Sequence, residues 1–104
     1  METIETLSEV LKALADPTRL RIIKLLGECN HGICKGGPLC VNALANQLQV
    51  TQPAVSQHLR ILKAAGLVRG TRSGTYMHYV LNREGIEKCS VLFKKTLGEH
   101  LITT

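Results

Sequence analysis

The sequence predicts a mainly helical domain with one small β-hairpin, in the order ααααββα. Three observations carry this. Apolar residues recur at helical spacing near both ends of the chain. Asp16-Pro17 and Thr51-Gln52-Pro53 each read as a helix start with proline in the first turn. Two short β-prone stretches, LVRGT and TYMHYVL, flank a turn at Arg72-Ser73-Gly74. At 104 residues the chain (1–104) is expected to form one domain with one core. That length excludes a large multi-domain enzyme and a doubly wound nucleotide-binding fold with a substrate domain.

In residues 3–14, Leu7, Val10, Leu11 and Leu14 fall at i, i+3, i+4 and i+7, one stripe of an amphipathic helix. The run TRLRIIKLL makes a second helix with Leu20, Ile23 and Leu26 inward, and Gly27 is its expected stop. Residues 28–38, with three Gly and one Pro, read as a loop long enough to have a task of its own. Residues 40–48 restart a short helix, and Gln49-Val50 turn the chain. Thr51 caps a fourth helix running to Ala65, with Gly66 as its stop. After the hairpin, Asn82 is expected to cap a last helix, 83–101, striped by Ile86, Phe93, Leu97 and Leu101. One small domain cannot bury this stripe as well as that of the first helix, so a homodimer is expected.

Thirteen Lys and Arg against eight Asp and Glu give a formal charge of +5, which suits a polyanion partner. Phe93, Tyr76 and Tyr79 are the only aromatics, too few for a protein that stacks single-stranded bases. No run of about 18 apolar residues is present, so no membrane partner is expected. The opening METIETLSEVLK carries Glu where a signal peptide carries basic residues, so an intracellular, cytoplasmic protein with reduced thiols is expected. In that setting Cys29, Cys34, Cys40 and Cys89 point to metal or redox chemistry before disulfides.

Two short helices joined by a tight turn make a helix-turn-helix, whose second helix enters the major groove of double-stranded DNA. Projected at 100° per residue, Val55, Leu59 and Leu62 share one side of helix 52–65. Pro53, Gln57 and Arg60 lie opposite, with Ser56 at the border and Gln52 at the exposed start. That outward side carries no acid, and Gln, Ser and Arg side chains can bond base edges or phosphate. The hairpin then reads as the wing of a winged helix, with Arg69 at its base, Arg72 at its tip and Thr75 beyond. The candidate DNA-binding set is Thr51, Gln52, Pro53, Ser56, Gln57, Arg60, Arg69, Arg72 and Thr75. His58 points sideways, toward the neighbouring helix. It reads as a structural histidine bonding a nearby backbone carbonyl, with a base contact as the other reading.

The segments ALADPTRLRIIKLL, LCVNALA, VTQPAVSQHLRILKAAGLVRG and the closing HYVLN resemble the ArsR/SmtB family over about residues 5–85. That resemblance implies a dimeric winged-helix repressor of operator DNA, released by a metal, a metalloid or reactive sulfur. It also implies a cysteine box at the start of the third helix. In Pro38-Leu39-Cys40-Val41-Asn42-Ala43-Leu44, Cys40 keeps the first cysteine position, and Asn42 replaces the second.

The preceding segment offers replacements. Cys29, His31, Cys34 and Cys40 place three thiols and one imidazole within twelve residues. Such donors suit As(III), Cd(II), Pb(II) or Zn(II), and Cu(I) as well. A second constellation, Glu87, Cys89 and His100, resembles the family's zinc site on the last helix. Cys89 and His100 stand about 16 Å apart along the axis, so only a two-fold partner could join them. The expected function is therefore a metal- or metalloid-released repressor. The alternative is a thiol-based redox or persulfide sensor of the same fold, using two of Cys29, Cys34 and Cys40. A small enzyme lacks a nucleophile, base and orienter set. A metal carrier without DNA function leaves the polar helix face and the Arg-tipped wing unexplained.

Overall fold

The computed structural model describes residues 3–30 and 39–98. The elements are α1 (Thr3–Leu14), α2 (Pro17–Asn30), β1 (Leu39–Cys40), α3 (Val41–Leu48), α4 (Gln52–Ala64), β2 (Val68–Ser73), β3 (Tyr76–Leu81) and α5 (Arg83–Leu97). The helices and the hairpin follow the expected order, and β1 is an addition. It pairs antiparallel with β3, which makes β3 the centre of a three-stranded sheet ordered β1-β3-β2. Two residues are too few to show a period of two, so the sequence pattern carries no trace of this strand.

The core gathers Leu7, Val10 and Ala13 of α1, Ile22 and Leu26 of α2, Leu44 and Ala45 of α3, and Val55, Leu59 and Leu62 of α4. Leu67 and Val68 close it from the start of the hairpin. The phase of α2 differs from expectation. Ile22 and Leu26 are its buried residues, while Leu20 is 51% exposed. The helix also continues past Gly27 through Glu28 and Cys29 to Asn30. A mid-helix glycine costs about 1 kcal/mol relative to alanine, and here α2 lies against β3, with Leu81 in ordinary contact range of a β-carbon at Gly27. Tertiary packing overrides the stop signal.

The ends of α4 follow the sequence closely. Thr51 Oγ1 accepts the backbone N–H of Ala54 at 3.3 Å. At the far end Leu67 N donates to Leu62 O and Gly66 N to Lys63 O, with Gly66 at φ 79°. This pair of bonds is a Schellman motif, which only a residue tolerant of positive φ completes without strain. The turn between α3 and α4 runs through Gln49 at φ 58°, a left-handed glutamine.

The start of α5 departs from expectation. Asn82 makes no side-chain cap; its amide donates instead to Gly66 O at 2.9 Å, tying α5 to the end of α4. α5 is helical to Leu97, short of the expected 101, and residues 99–101, with Leu101, lie outside the described residues. A β-carbon at Gly85 would fall on the Gly66 carbonyl oxygen. That carbonyl is main chain and already accepts from Asn82 Nδ2, so the clash has no side chain to yield. Gly85→Ala is expected to lower stability by about 1–3 kcal/mol despite alanine's better helix propensity, read as a lower urea midpoint at unchanged slope. A midpoint equal to or above that of the parent would show that the carbonyl can move.

No residue of α5 is buried. Val91, Phe93 and Leu97 stay exposed, as do Ile4 and Leu11 of α1, the helix against which α5 packs. Among the described residues, no helix is long and apolar enough to cross a membrane.

Candidate nucleic-acid interface

The buried stripe of α4 decides what its other side presents. With Val55, Leu59 and Leu62 at 0–1% exposure, Gln52, Pro53, Ser56, Gln57, Arg60 and Lys63 are turned to solvent. Thr51, Arg69, Arg72 and Thr75 are exposed too, so all nine residues expected to touch DNA are available. Gln57 Oε1 accepts from Arg60 Nη1 at 3.5 Å, which sets the two side chains beside each other one turn apart.

The electrostatics extend beyond the helix. Residues 39–82, which build α3, α4 and the sheet, hold four Lys or Arg and no Asp or Glu, so they carry +4 of the formal +5. Among the described residues the carboxylates sit on α1, at the start and end of α2, and on α5. The first turn of α4 has no acid to compete with an incoming anion, and its backbone N–H groups and positive dipole end add to the field. This segregation is readable in the sequence as a 44-residue stretch without a carboxylate, a broader signal than the acid-free helix face.

The wing is a two-strand hairpin closed by Gly74 and Thr75, with Gly74 at φ 64°. Its register pairs Val68 with Leu81, Arg69 with Val80, Gly70 with Tyr79, Thr71 with His78 and Arg72 with Met77. Arg72 therefore belongs to β2, just before the turn. Tyr79 and Leu81 pack toward the core, which puts Arg69, Thr71, His78 and Val80 on the opposite face.

His58 has a side-chain partner in place of the expected backbone carbonyl. Its Nδ1 lies 3.1 Å from Arg19 Nη1 and 4.0 Å from Asp16 Oδ2. Guanidinium can only donate, so Nδ1 is the acceptor in this contact. Arg19 also donates from Nε to Ala13 O, and its backbone N–H reaches Asp16 Oδ2 at 3.1 Å. His58 thus pins the recognition helix to the α1–α2 corner and does not join the exposed face. Asp16 is held below the usual carboxylate range, mainly by that Arg19 N–H bond and also by the Arg19 charge. Its capping contribution is present above the ordinary carboxylate pKa and is lost as pH falls through the lower folded value.

The cysteines fall in different places. Cys29 lies in the last turn of α2, while His31 and Cys34 lie outside the described residues. Cys40 ends β1 and is the half-buried N-cap of α3, with no side-chain capping bond; it precedes the helix it was expected to open. Cys89 is half-buried against the core, and burial pushes its thiol up. Glu87 is exposed on another face of α5, and His100 lies outside the described residues. No three His, Cys, Asp or Glu converge on a metal position among the described residues.

A polar, carboxylate-free recognition helix beside a basic wing defines a winged helix-turn-helix DNA-binding domain. The model of the arsR family of bacterial regulatory proteins matches residues 16–69. The chain belongs to this family of DNA-binding transcriptional regulators, which are not enzymes. It is 36% identical to the arsenical resistance operon repressor of Bacillus subtilis over 108 aligned positions, covering 91% of this chain and 96% of that one. It is 45% identical over 80 residues to the transcriptional repressor SmtB of Mycobacterium tuberculosis. That match covers 77% of this chain and 53% of SmtB, so the chain spans about half of that relative. Among solved structures, the homodimeric winged helix-turn-helix DNA-binding domain from Mycobacterium bovis superposes with TM-score 0.69 at 31% identity, covering 94% of this chain and 83% of that one.

Proposed function

We propose that the protein is a homodimeric repressor that holds double-stranded operator DNA and lets it go when a soft metal or metalloid ion binds its cysteines. The observation that carries the DNA half is the exposed, acid-free face of α4 lying within a segment that holds +4 of the charge. Gln52, Ser56, Gln57 and Arg60 read base edges. Thr51, Pro53 and the α4 N-terminus seat a phosphate, and Arg69, Arg72 and Thr75 hold the flanking backbone. The exposed apolar residues of α1 and α5 meet their two-fold copies, and a dimer so joined sets two recognition helices about 34 Å apart, one turn of DNA.

The ion is As(III), Cd(II), Pb(II) or Zn(II), held by Cys40 with Cys29, Cys34 and His31. The Bacillus subtilis relative, an arsenical resistance operon repressor by name, supports this reading. Glu87, Cys89 and His100 form a lesser candidate, weakened by the separate faces of Glu87 and Cys89 on α5.

Gel shifts with operator DNA test the scheme, with and without As(III), Cd(II) and reductant. Release by either ion under reducing conditions supports it; release only on oxidation or persulfidation transfers the function to thiol redox sensing. Gln57→Ala and Arg60→Ala are expected to weaken operator binding, the former also relaxing base preference. Arg72→Ala is expected to weaken all DNA about equally and to lower the salt slope by about one. An unchanged slope would remove the wing from the interface. Sedimentation at micromolar concentration is expected to show twice the 11.4 kDa chain mass, and a monomer alone would overturn the dimer.

A further inference from the structure

Cys40 and His78 face each other across β1 and β3 as direct Cα partners. Side chains so opposed point to the same face of the sheet, with β-carbons about 4.5–5.5 Å apart. This is the face away from Tyr79 and Leu81, and both residues are half-buried there. Thr71 of β2 completes the row. Cys40 is extended, at φ −91° and ψ 170°, and its thiol is not used to cap α3. With metal–sulfur and metal–nitrogen bonds of about 2.3 Å and 2.0–2.1 Å, thiolate and imidazole on one ion lie close enough for this pairing to serve both.

We infer that His78 is the imidazole ligand of the soft-ion site at Cys40. The inference rests on the proposed ion-triggered release. It assigns the nitrogen donor to the central strand of the sheet, in place of His31, and leaves the remaining positions to the other thiols or to solvent. A role in release follows from the placement. Cys40 leads into α3 and the helix-turn-helix, and β3 is one strand of the wing. An ion bonded to both fixes the wing relative to α3 and α4. These are the two surfaces that must fit the duplex together, so the ion acts on their relative orientation and needs no distant relay.

The test is competition titration of Cd(II) into the reduced full chain, with thiolate-to-cadmium charge-transfer absorption read in the same samples. Cys40→Ser and His78→Ala are each expected to weaken Cd(II) binding by about tenfold or more, at least the size of an outer-shell loss. His31→Ala is expected to leave it unchanged. His78→Cys is expected to restore tight binding and to strengthen the charge-transfer band, a rescue that a merely structural histidine would not give. Operator binding without metal reports that each variant is folded. If Cys40→Ser loses Cd(II) while His78→Ala keeps it, or if His78→Cys fails to restore it, the inference falls and the cysteine sensor stands. If neither Cys40→Ser nor His78→Ala changes Cd(II) affinity, both fall.

Discussion

Leu59→Ala is expected to cost about 2–5 kcal/mol of folding stability, the largest single-residue loss argued for this chain. Leu59 is 1% exposed, between Val55 and Leu62 on the inner stripe of α4, so the truncation opens a cavity that the packed helices fill only in part. Small domains have only about 5–15 kcal/mol in total. The variant is therefore expected to be partly unfolded near 37 °C and to lose operator binding through the loss of folded protein. Urea melts check this: the midpoint should fall at unchanged slope. Leu59→Met keeps most of the volume and is expected to cost less than about 1.5 kcal/mol. Leu20→Ala is the opposite control. Leu20 is 51% exposed, and its truncation is expected to stay within about 0.5 kcal/mol. A large loss at Leu20 would mean that a partner chain covers it.

Leu20 also marks where sequence reading stops. Periodicity finds α2 but leaves its rotation open, because Leu20, Ile22, Ile23, Leu25 and Leu26 are apolar nearly all round and several stripes fit. In α4 the polar residues are placed so that only one stripe fits, and Val55, Leu59 and Leu62 are buried as their spacing predicts. The Thr51 cap and the Gly66 stop were legible for a similar reason, since each bond is local to the residues that signal it. Gly27 and Asn82 were misread because their partners, Leu81 and Gly66, come from elsewhere in the chain. The same limit hid the Arg19–His58 contact, 39 residues apart, and the Cys40–His78 pairing. The candidate DNA face was therefore readable almost whole, being one helix and one hairpin. A site assembled from α3 and β3 needed the sheet register first.

Cys40→Ser is expected to keep operator affinity and to abolish ion-induced release. An effector acts only through its different affinity for the two arrangements of the protein, and coupling energies of about 1–3 kcal/mol correspond to a 5- to 150-fold change in DNA affinity. That whole factor should vanish in Cys40→Ser at saturating As(III) or Cd(II). The substitution is a clean one. Cys40 occupies the N-cap of α3 without a side-chain capping bond, and serine is among the best N-cap residues, so the variant should be folded at least as firmly as the parent. Lost release is then a ligand effect and not a folding effect. Cys29→Ser and Cys34→Ser are expected to reduce release in turn. Thiolates must shed protons to bind, so the ion's affinity in the parent should rise with pH through the thiol range. The decisive measurement is the operator affinity of Cys40→Ser with saturating ion. If it still falls as in the parent, Cys40 does not hold the ion, and Cys89 on α5 becomes the thiol to replace next.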